Sequence, residues 1–171
     1  MIGDIRHGDI TSHENKADII IGMNTRCAEA SAIGRTVLVG KILSRELELG
    51  DVVTFKFDEH RNLHLLICHE LGRGGWQGAE RFVRCGLDYL WQRHREKQRF
   101  SIVRIGTGPV GIRDGADASA IHTAMADSYL PVTLYIWDGE GVEARVAQFP
   151  PLTPSRTWNF SKGEREIRLA S

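Results

Sequence analysis

A glycine-rich loop separates two apolar, strand-like segments in the second half of this 171-residue chain. The first segment is Phe-Ser-Ile-Val-Arg-Ile at 100–105, and the second is Thr-Leu-Tyr-Ile-Trp-Asp at 133–138. Between them stand Gly106-Thr-Gly-Pro-Val-Gly111 and a helix-prone segment. Buried strands joined through a helix are typical of α/β proteins. Main-chain N–H groups of such a loop, together with the positive end of a helix dipole, form a seat for phosphate. The stretch therefore predicts an α/β fold that holds a phosphate-bearing nucleotide.

The composition is that of one ordinary globular domain. Hydrophobic residues make up 42% of the chain, and 22 basic residues balance 22 acidic ones. A formal net charge of zero gives no overall attraction to nucleic acid or to a membrane. Three cysteines without a CxxC pair indicate reduced thiols, and the histidines have no metal-ligand spacing. We expect a cytoplasmic protein with no membrane partner, no metal and no cofactor.

Apolar periodicity predicts a mixed order of strands and helices. Strands are expected at 2–10, 17–23, 51–58, 63–68, 100–105 and 131–137, and helices at 77–95 and 116–128, with a further helix-prone segment at 27–47. The two strands around 59–62 give a hairpin signal. Residues 139–171 are polar and contain three closely spaced prolines. We therefore expect a domain at 1–138 and a C-terminal extension at 139–171, packed on the domain or partly disordered.

The glycine loop matches two kinds of nucleotide site. The spacing Gly106-x-Gly108-x-x-Gly111 fits the dinucleotide fingerprint of Rossmann folds, and Asp138 ends the next strand. In that fingerprint, however, the third glycine lies within the helix. Here residues 112–115 separate Gly111 from the predicted helix. The loop also lies late in the chain, which leaves room for only one βαβ unit. This interpretation is therefore the weaker of the two.

The second interpretation accounts for more of the chain. Gly8-Asp-Ile-Thr11, Ala17-Asp-Ile-Ile-Ile21 and Ile105-Gly-Thr-Gly-x-x-Gly111 occur in this order. Together they resemble a macro domain over roughly residues 3–138. The resemblance implies a single α/β domain with a mixed central sheet flanked by helices. It also implies a cleft at the end of the sheet that binds ADP-ribose.

The resemblance assigns a role to each ligand-binding candidate. Asp9 would accept a hydrogen bond from the adenine amino group, with Ile10 beside it. Trp137, or alternatively Tyr135, would wall the adenosine side. The diphosphate would be wrapped by Gly106, Thr107, Gly108, Val110 and Gly111. Each has a structural alternative: Asp9 could satisfy a turn, the glycines could supply positive φ, and Trp137 could lie in the core.

The distal-ribose end departs from the family pattern. Hydrolytic macro domains usually have an Asn-Ala-Ala-Asn turn after the third strand, whereas this chain has Gly22-Met-Asn-Thr25. If the domain is a hydrolase, Asn24 or Thr25 would orient the water. His69 or Glu70 would then transfer the proton. Taken without the resemblance, His69 and Glu70 are instead expected to form a solvated strand end, and this is the preferred interpretation.

These observations support three functions in order of preference. The first is a module that binds ADP-ribose or a related nucleotide, as a reader of ADP-ribosylated protein or a sequestering module. The second is a divergent hydrolase of ADP-ribosyl groups or ADP-ribose derivatives. The third is a nucleic-acid interaction module, suggested by arginines at positions 73, 81, 84, 93 and 95. Their mixed helical angles favour a solvated face instead.

Overall fold

The computed structural model describes residues 1–24, 47–70, 77–96, 99–103, 115–136 and 154–166. The helix-prone segment at 27–47 falls almost entirely outside this set. Within it the strands are β1 (Ile2–His7), β2 (Asp18–Asn24), β3 (Asp51–Lys56), β4 (Asn62–His69), β5 (Phe100–Val103), β6 (Val132–Ile136), β7 (Pro154–Asn159) and β8 (Gly163–Arg165). The helices are α1 (Ala79–Arg93) and α2 (Gly115–Asp127). Neither helix combines the length and apolar character that crossing a membrane requires.

The described strands form one mixed sheet in the order β1-β6-β5-β2-β4-β3-β7-β8. The first five strands in this order run parallel to one another. The last three continue it by antiparallel pairing. The predicted mixed α/β sheet is therefore confirmed, and so is the predicted hairpin.

Side-chain alternation along the strands builds a core on each face of the sheet. Ile20 of β2 faces one cluster, while Ile19 and Ile21 face the other. Strand β4 divides in the same way, because successive residues of a strand point to opposite faces. The first cluster includes Val83, Leu87 and Leu90 of α1 and Ile121 and Met125 of α2. Both described helices therefore cover the same face.

Helix α1 lies close against the sheet because of a glycine. A Cβ atom at Gly86 would stand 2.8 Å from Cδ2 of Leu66 on β4, which is too close for a side chain. The helix begins after Gly78, whose φ of 78° is left-handed. Glu80 in the first turn and Arg93 in the last turn both complement the helix dipole.

Residues 154–166 of the C-terminal extension belong to the sheet. Strand β7 pairs with β3, and β8 pairs with β7. The Trp158 ring stacks on the Tyr89 ring of α1 at a centroid distance of 4.2 Å. The buried carboxylate of Asp51 accepts hydrogen bonds from the side chains of Asn159 and Arg165. The domain boundary at 138 stays a prediction.

A buried polar cluster lies at the amino end of the parallel strands. Nε2 of His64 contacts the Asp18 carboxylate at 3.3 Å, and Nδ1 contacts Oγ1 of Thr54 at 2.9 Å. Burial alone would raise the pKa of Asp18, but hydrogen bonds from His64 and from Asn62 lower that pKa to about 2. The His94 ring lies 5.2 Å from the His64 ring, and its Nε2 is buried without a hydrogen-bond partner. Burial, with help from His64, lowers the pKa of His94.

Acidification should therefore destabilise the protein in two steps. The folded-state pKa of His94 lies below its unfolded value, so its neutral form favours folding above pH 6.5 and this advantage falls as pH drops below 6.5. Asp18 adds about 2 kcal/mol that is lost between about pH 4 and pH 2. Urea unfolding at a series of pH values should show both losses. The variant His94→Leu should remove the loss of stability below pH 6.5. The control variant His60→Ala, at an exposed histidine, should keep that loss. A loss below pH 6.5 that persists in His94→Leu would contradict its assignment to His94.

Candidate functional site

The parallel strands bring three of the candidate residues, Asp9, Asn24 and His69, to one edge of the sheet. Strands β1, β6, β5, β2 and β4 all end at this edge, which we call the carboxyl edge. Asp9 follows β1, Asn24 ends β2 and His69 ends β4. The glycine loop follows β5 along the chain, and Trp137 follows β6.

The strand order places a topological switch point on this edge. From β2 the chain continues toward β4 and β3, whereas from β5 it continues toward β6 on the opposite side. Because β2 and β5 are neighbours, the connections diverge between them. Ligands of open α/β sheets bind at such a switch point, outside the carboxyl ends of the strands. The two segments that follow β5 and β2 in the sequence are those that the resemblance assigned to the diphosphate and to the distal ribose.

Asp9 stands in a tight turn immediately after β1. The N–H of Gly8 still donates to the carbonyl of Ile136, and the φ of Gly8 is 129°. Oδ1 of Asp9 accepts hydrogen bonds from the N–H of Thr11 at 2.8 Å and from its hydroxyl at 2.6 Å. The turn role of Asp9 is therefore observed, and the role toward adenine stays a prediction.

Ile10 is fully buried in the core cluster that also contains Ile19 and Ile21. The whole residue is buried, main chain included, which argues against direct contact of Ile10 with a ligand, so its assigned role stays a prediction. Tyr135 lies in the same cluster and is 6% exposed. Burial in the core argues against Tyr135 as a wall of the cleft, which leaves Trp137 as the candidate.

Asn24 and His69 are neighbours across the carboxyl edge. They pair in the parallel ladder directly after a register shift between Met23 and Asn24. Such irregularities bend a strand locally. His69 is only 4% exposed, so the expectation of a solvated strand end is wrong for this residue.

The remaining candidates lie outside the described residues. They are Thr25, Gly106, Thr107, Gly108, Val110, Gly111 and Trp137. Their assigned roles stay predictions. Within the described ranges, no group of three or more His, Cys, Asp and Glu side chains is arranged to hold a metal ion.

Two polar residues that sequence reasoning did not single out hold the segment between β1 and β2. The side-chain amide of Asn15 donates to the carbonyl of Ile10 and to Oγ of Ser101, both at 2.8 Å. Arg61, from the β3–β4 turn, donates to main-chain carbonyls of the same segment. Asn and Arg in connecting segments usually lie at the surface, so the burial of these two residues could not be predicted from their positions in the chain.

Two of the three arginines of α1 have partners within the protein. Arg81 lies over the Phe160 ring at 5.2 Å, and Arg84 contacts the Asp127 carboxylate at 3.4 Å. These contacts favour a structural use of both side chains over a continuous basic surface for nucleic acid.

Comparisons with known proteins identify the fold. No protein-family model matches the sequence, and no curated protein matches it significantly. The structure is similar to the macrodomain of Mycobacterium tuberculosis DarG, with a TM-score of 0.51 at 15% identity over 78% of this chain and 98% of that one. It is also similar to the macrodomain of Thermus aquaticus DarG, with a TM-score of 0.49 at 12% identity over 78% of this chain and 96% of that one. A third is a macrodomain protein from Streptomyces coelicolor (TM-score 0.47, 19% identity, 77% and 98% covered).

Proposed function

We propose that this chain, whose fold is that of a macrodomain, binds ADP-ribose or a related diphosphate nucleotide at its carboxyl edge. The observation that supports this most is the coincidence of motif and topology. The glycine loop that resembles the family's diphosphate loop follows β5, at the point where the connections of β5 and β2 diverge. Asp9, the residue assigned to adenine, follows β1 at the same edge.

Thermal unfolding with a panel of nucleotides tests the proposal. A ligand that binds only the native state at a hundredfold excess over its Kd adds about 2.7 kcal/mol of stability. ADP-ribose should therefore raise the Tm by several degrees. AMP should raise it less, because AMP lacks the second phosphate. No stabilisation by any diphosphate nucleotide at millimolar concentration would overturn the proposal, and stabilisation by short RNA alone would favour the nucleic-acid alternative.

Asp9 can be tested with two variants that separate its turn from its ligand. Asp9→Asn keeps an Oδ1 acceptor for Thr11, so its stability should match the parent. Asp9→Ala removes that acceptor and should cost about 1 kcal/mol of stability. Both variants should lose about 1.5–3 kcal/mol of affinity for ADP-ribose, because both lack the carboxylate that meets the adenine amino group. Isothermal titration calorimetry measures the affinity, and unchanged affinity in both variants would make Asp9 purely structural.

Hydrolysis at the distal ribose is the second candidate function. The pairing of Asn24 with His69 supports it, because two candidate catalytic residues are neighbours at the carboxyl edge. If the protein turns over ADP-ribosylated protein or ADP-ribose derivatives, His69→Ala or Asn24→Ala should lower the rate about a hundredfold or more. Affinity should stay within about tenfold of the parent. If the parent protein shows no turnover, binding without hydrolysis remains as the proposed function. The presence of Gly22-Met-Asn-Thr25 in place of the usual asparagine turn favours this outcome.

A further inference from the structure

The guanidinium of Arg61 is buried against the segment that follows β1. Its side chain is 4% exposed and forms an ion pair with Asp58 at 2.6 Å. Its carbon Cζ lies 4.9 Å from the centre of the Phe57 ring. A buried charge persists only when its donors are satisfied, and the donors of Arg61 are used on main-chain carbonyls about fifty residues away in sequence.

Arg61 holds three of these carbonyls. Nη1 donates to the carbonyl of Ser12 at 2.9 Å and to that of Asn15 at 2.8 Å. Nη1 and Nη2 both lie 3.4 Å from the carbonyl of Thr11. The planar fork of a guanidinium can serve several acceptors in fixed directions, whereas a lysine ammonium acts as a point charge.

Thr11 links Arg61 to Asp9. Its carbonyl faces Arg61, while its N–H and its hydroxyl both donate to the Asp9 carboxylate. The carbonyl of Asp9 also accepts from the N–H of Ser12 at 3.1 Å. The position of the Asp9 carboxylate is therefore set by a segment that Arg61 fastens to the β3–β4 turn.

We infer that Arg61 is a positioning residue for adenine recognition, acting through Thr11 on Asp9. This inference rests on the proposed function. It assigns to the β3–β4 turn an indirect part in selecting the base of the nucleotide, through the segment that follows β1. Removing Arg61 should therefore weaken the recognition of adenine and leave the diphosphate loop unaffected.

A double-mutant cycle separates this role from a general loss of structure. Arg61→Met keeps the aliphatic stem on Phe57 and removes the fork. As a single substitution it should lower the affinity for ADP-ribose by about tenfold. In the Asp9→Asn background the same substitution should lower the affinity for ADP-ribose by less than about threefold, because the carboxylate that Arg61 positions is already absent. Arg84→Met, which removes an exposed arginine with a carboxylate partner, is the matched control and should leave affinity unchanged.

Amide hydrogen exchange without ligand gives the second readout. The N–H groups of Thr11, Ser12 and Asn15 should exchange at least about tenfold faster in Arg61→Met, while those in the centre of β4 should not change. If Arg61→Met does not fold, Arg61→Lys tests the same point, because it keeps a charge beside Asp58 without the fork.

The outcomes distinguish this inference from the proposed function. Equal losses of affinity in the parent and in Asp9→Asn, or unchanged exchange at Thr11, would overturn the positioning role while leaving nucleotide binding intact. A parent that does not bind ADP-ribose would overturn the proposed function, and the inference with it. Faster exchange in that case would show that Arg61 fastens the segment for structural reasons alone.

Discussion

A Gly108→Val variant is expected to lose nucleotide binding altogether while its fold persists. The proposed diphosphate seat needs main-chain N–H groups to approach the phosphate oxygens closely, and a branched side chain would fill that space. The loss should be the same whether the domain binds its ligand or hydrolyses it. Calorimetry with ADP-ribose measures the affinity, and circular dichroism confirms the fold.

A second glycine variant provides the control for this experiment. Gly3 lies in strand β1, where an added Cβ would meet only the carbonyl oxygen of Val132 at 4.0 Å. Gly3→Val places the same side chain far along β1 from the carboxyl edge and should bind ADP-ribose like the parent. Binding by Gly108→Val within about threefold of the parent would contradict the assignment of the loop to the diphosphate.

Asp51→Ala is expected to lower the free energy of unfolding by about 3 kcal/mol. The Asp51 carboxylate is buried and accepts from the side chains of Asn159 and Arg165 and from the N–H of Glu48. Removing it takes away the buried carboxylate that accepts from the Arg165 guanidinium, which is only 18% exposed. Urea unfolding measures the loss, and the Tm should fall by about 10 °C.

The matched control is an exposed carboxylate that also contacts the hairpin of β7 and β8. Glu48 pairs with Lys162, and both side chains are about half exposed. Glu48→Ala should therefore cost less than about 1 kcal/mol. If Asp51→Ala costs no more than Glu48→Ala, the hairpin of β7 and β8 is not anchored by this carboxylate.

Periodicity was sufficient to predict most of the sheet and both described helices. Apolar runs predicted β2, β4, β5 and β6, and the amphipathic pattern predicted α1. The observed boundaries differ from the predicted ones where a glycine borders a strand or a helix. Strand β1 ends at His7, earlier than predicted, and α1 begins after Gly78, in each case beside a glycine with positive φ.

Strands β7 and β8 could not be predicted from their own residues. The segment begins with a proline and contains few apolar residues, so it has no alternating pattern. Thr157 and Asn159 are nevertheless buried, because β3 and Asp51 supply the partners. Those partners lie more than a hundred residues earlier in the chain, beyond the reach of any local pattern.

The candidate site could be predicted only as a set of residues at one edge. The resemblance predicted that Asp9 and the glycine loop lie at the end of the sheet, and the structure places Asp9 after β1 at the carboxyl edge. The buried polar residues elsewhere in the described structure had no such sequence signal. Arg61, Asn15 and His64 are types that usually lie at the surface, and only the structure shows the acceptors that permit their burial.

The late position of β7 in the chain has a consequence for synthesis. Asn159 meets Asp51 across 108 residues, so β3 is made long before the strand that covers its open side. At about 5–20 residues per second, roughly 5–20 s of translation separate the two. During that interval β3 presents unpaired main-chain groups to any neighbouring strand. Between the synthesis of Asp51 and that of Asn159, the open edge of β3 is thus a site at which the nascent chain can pair with another strand.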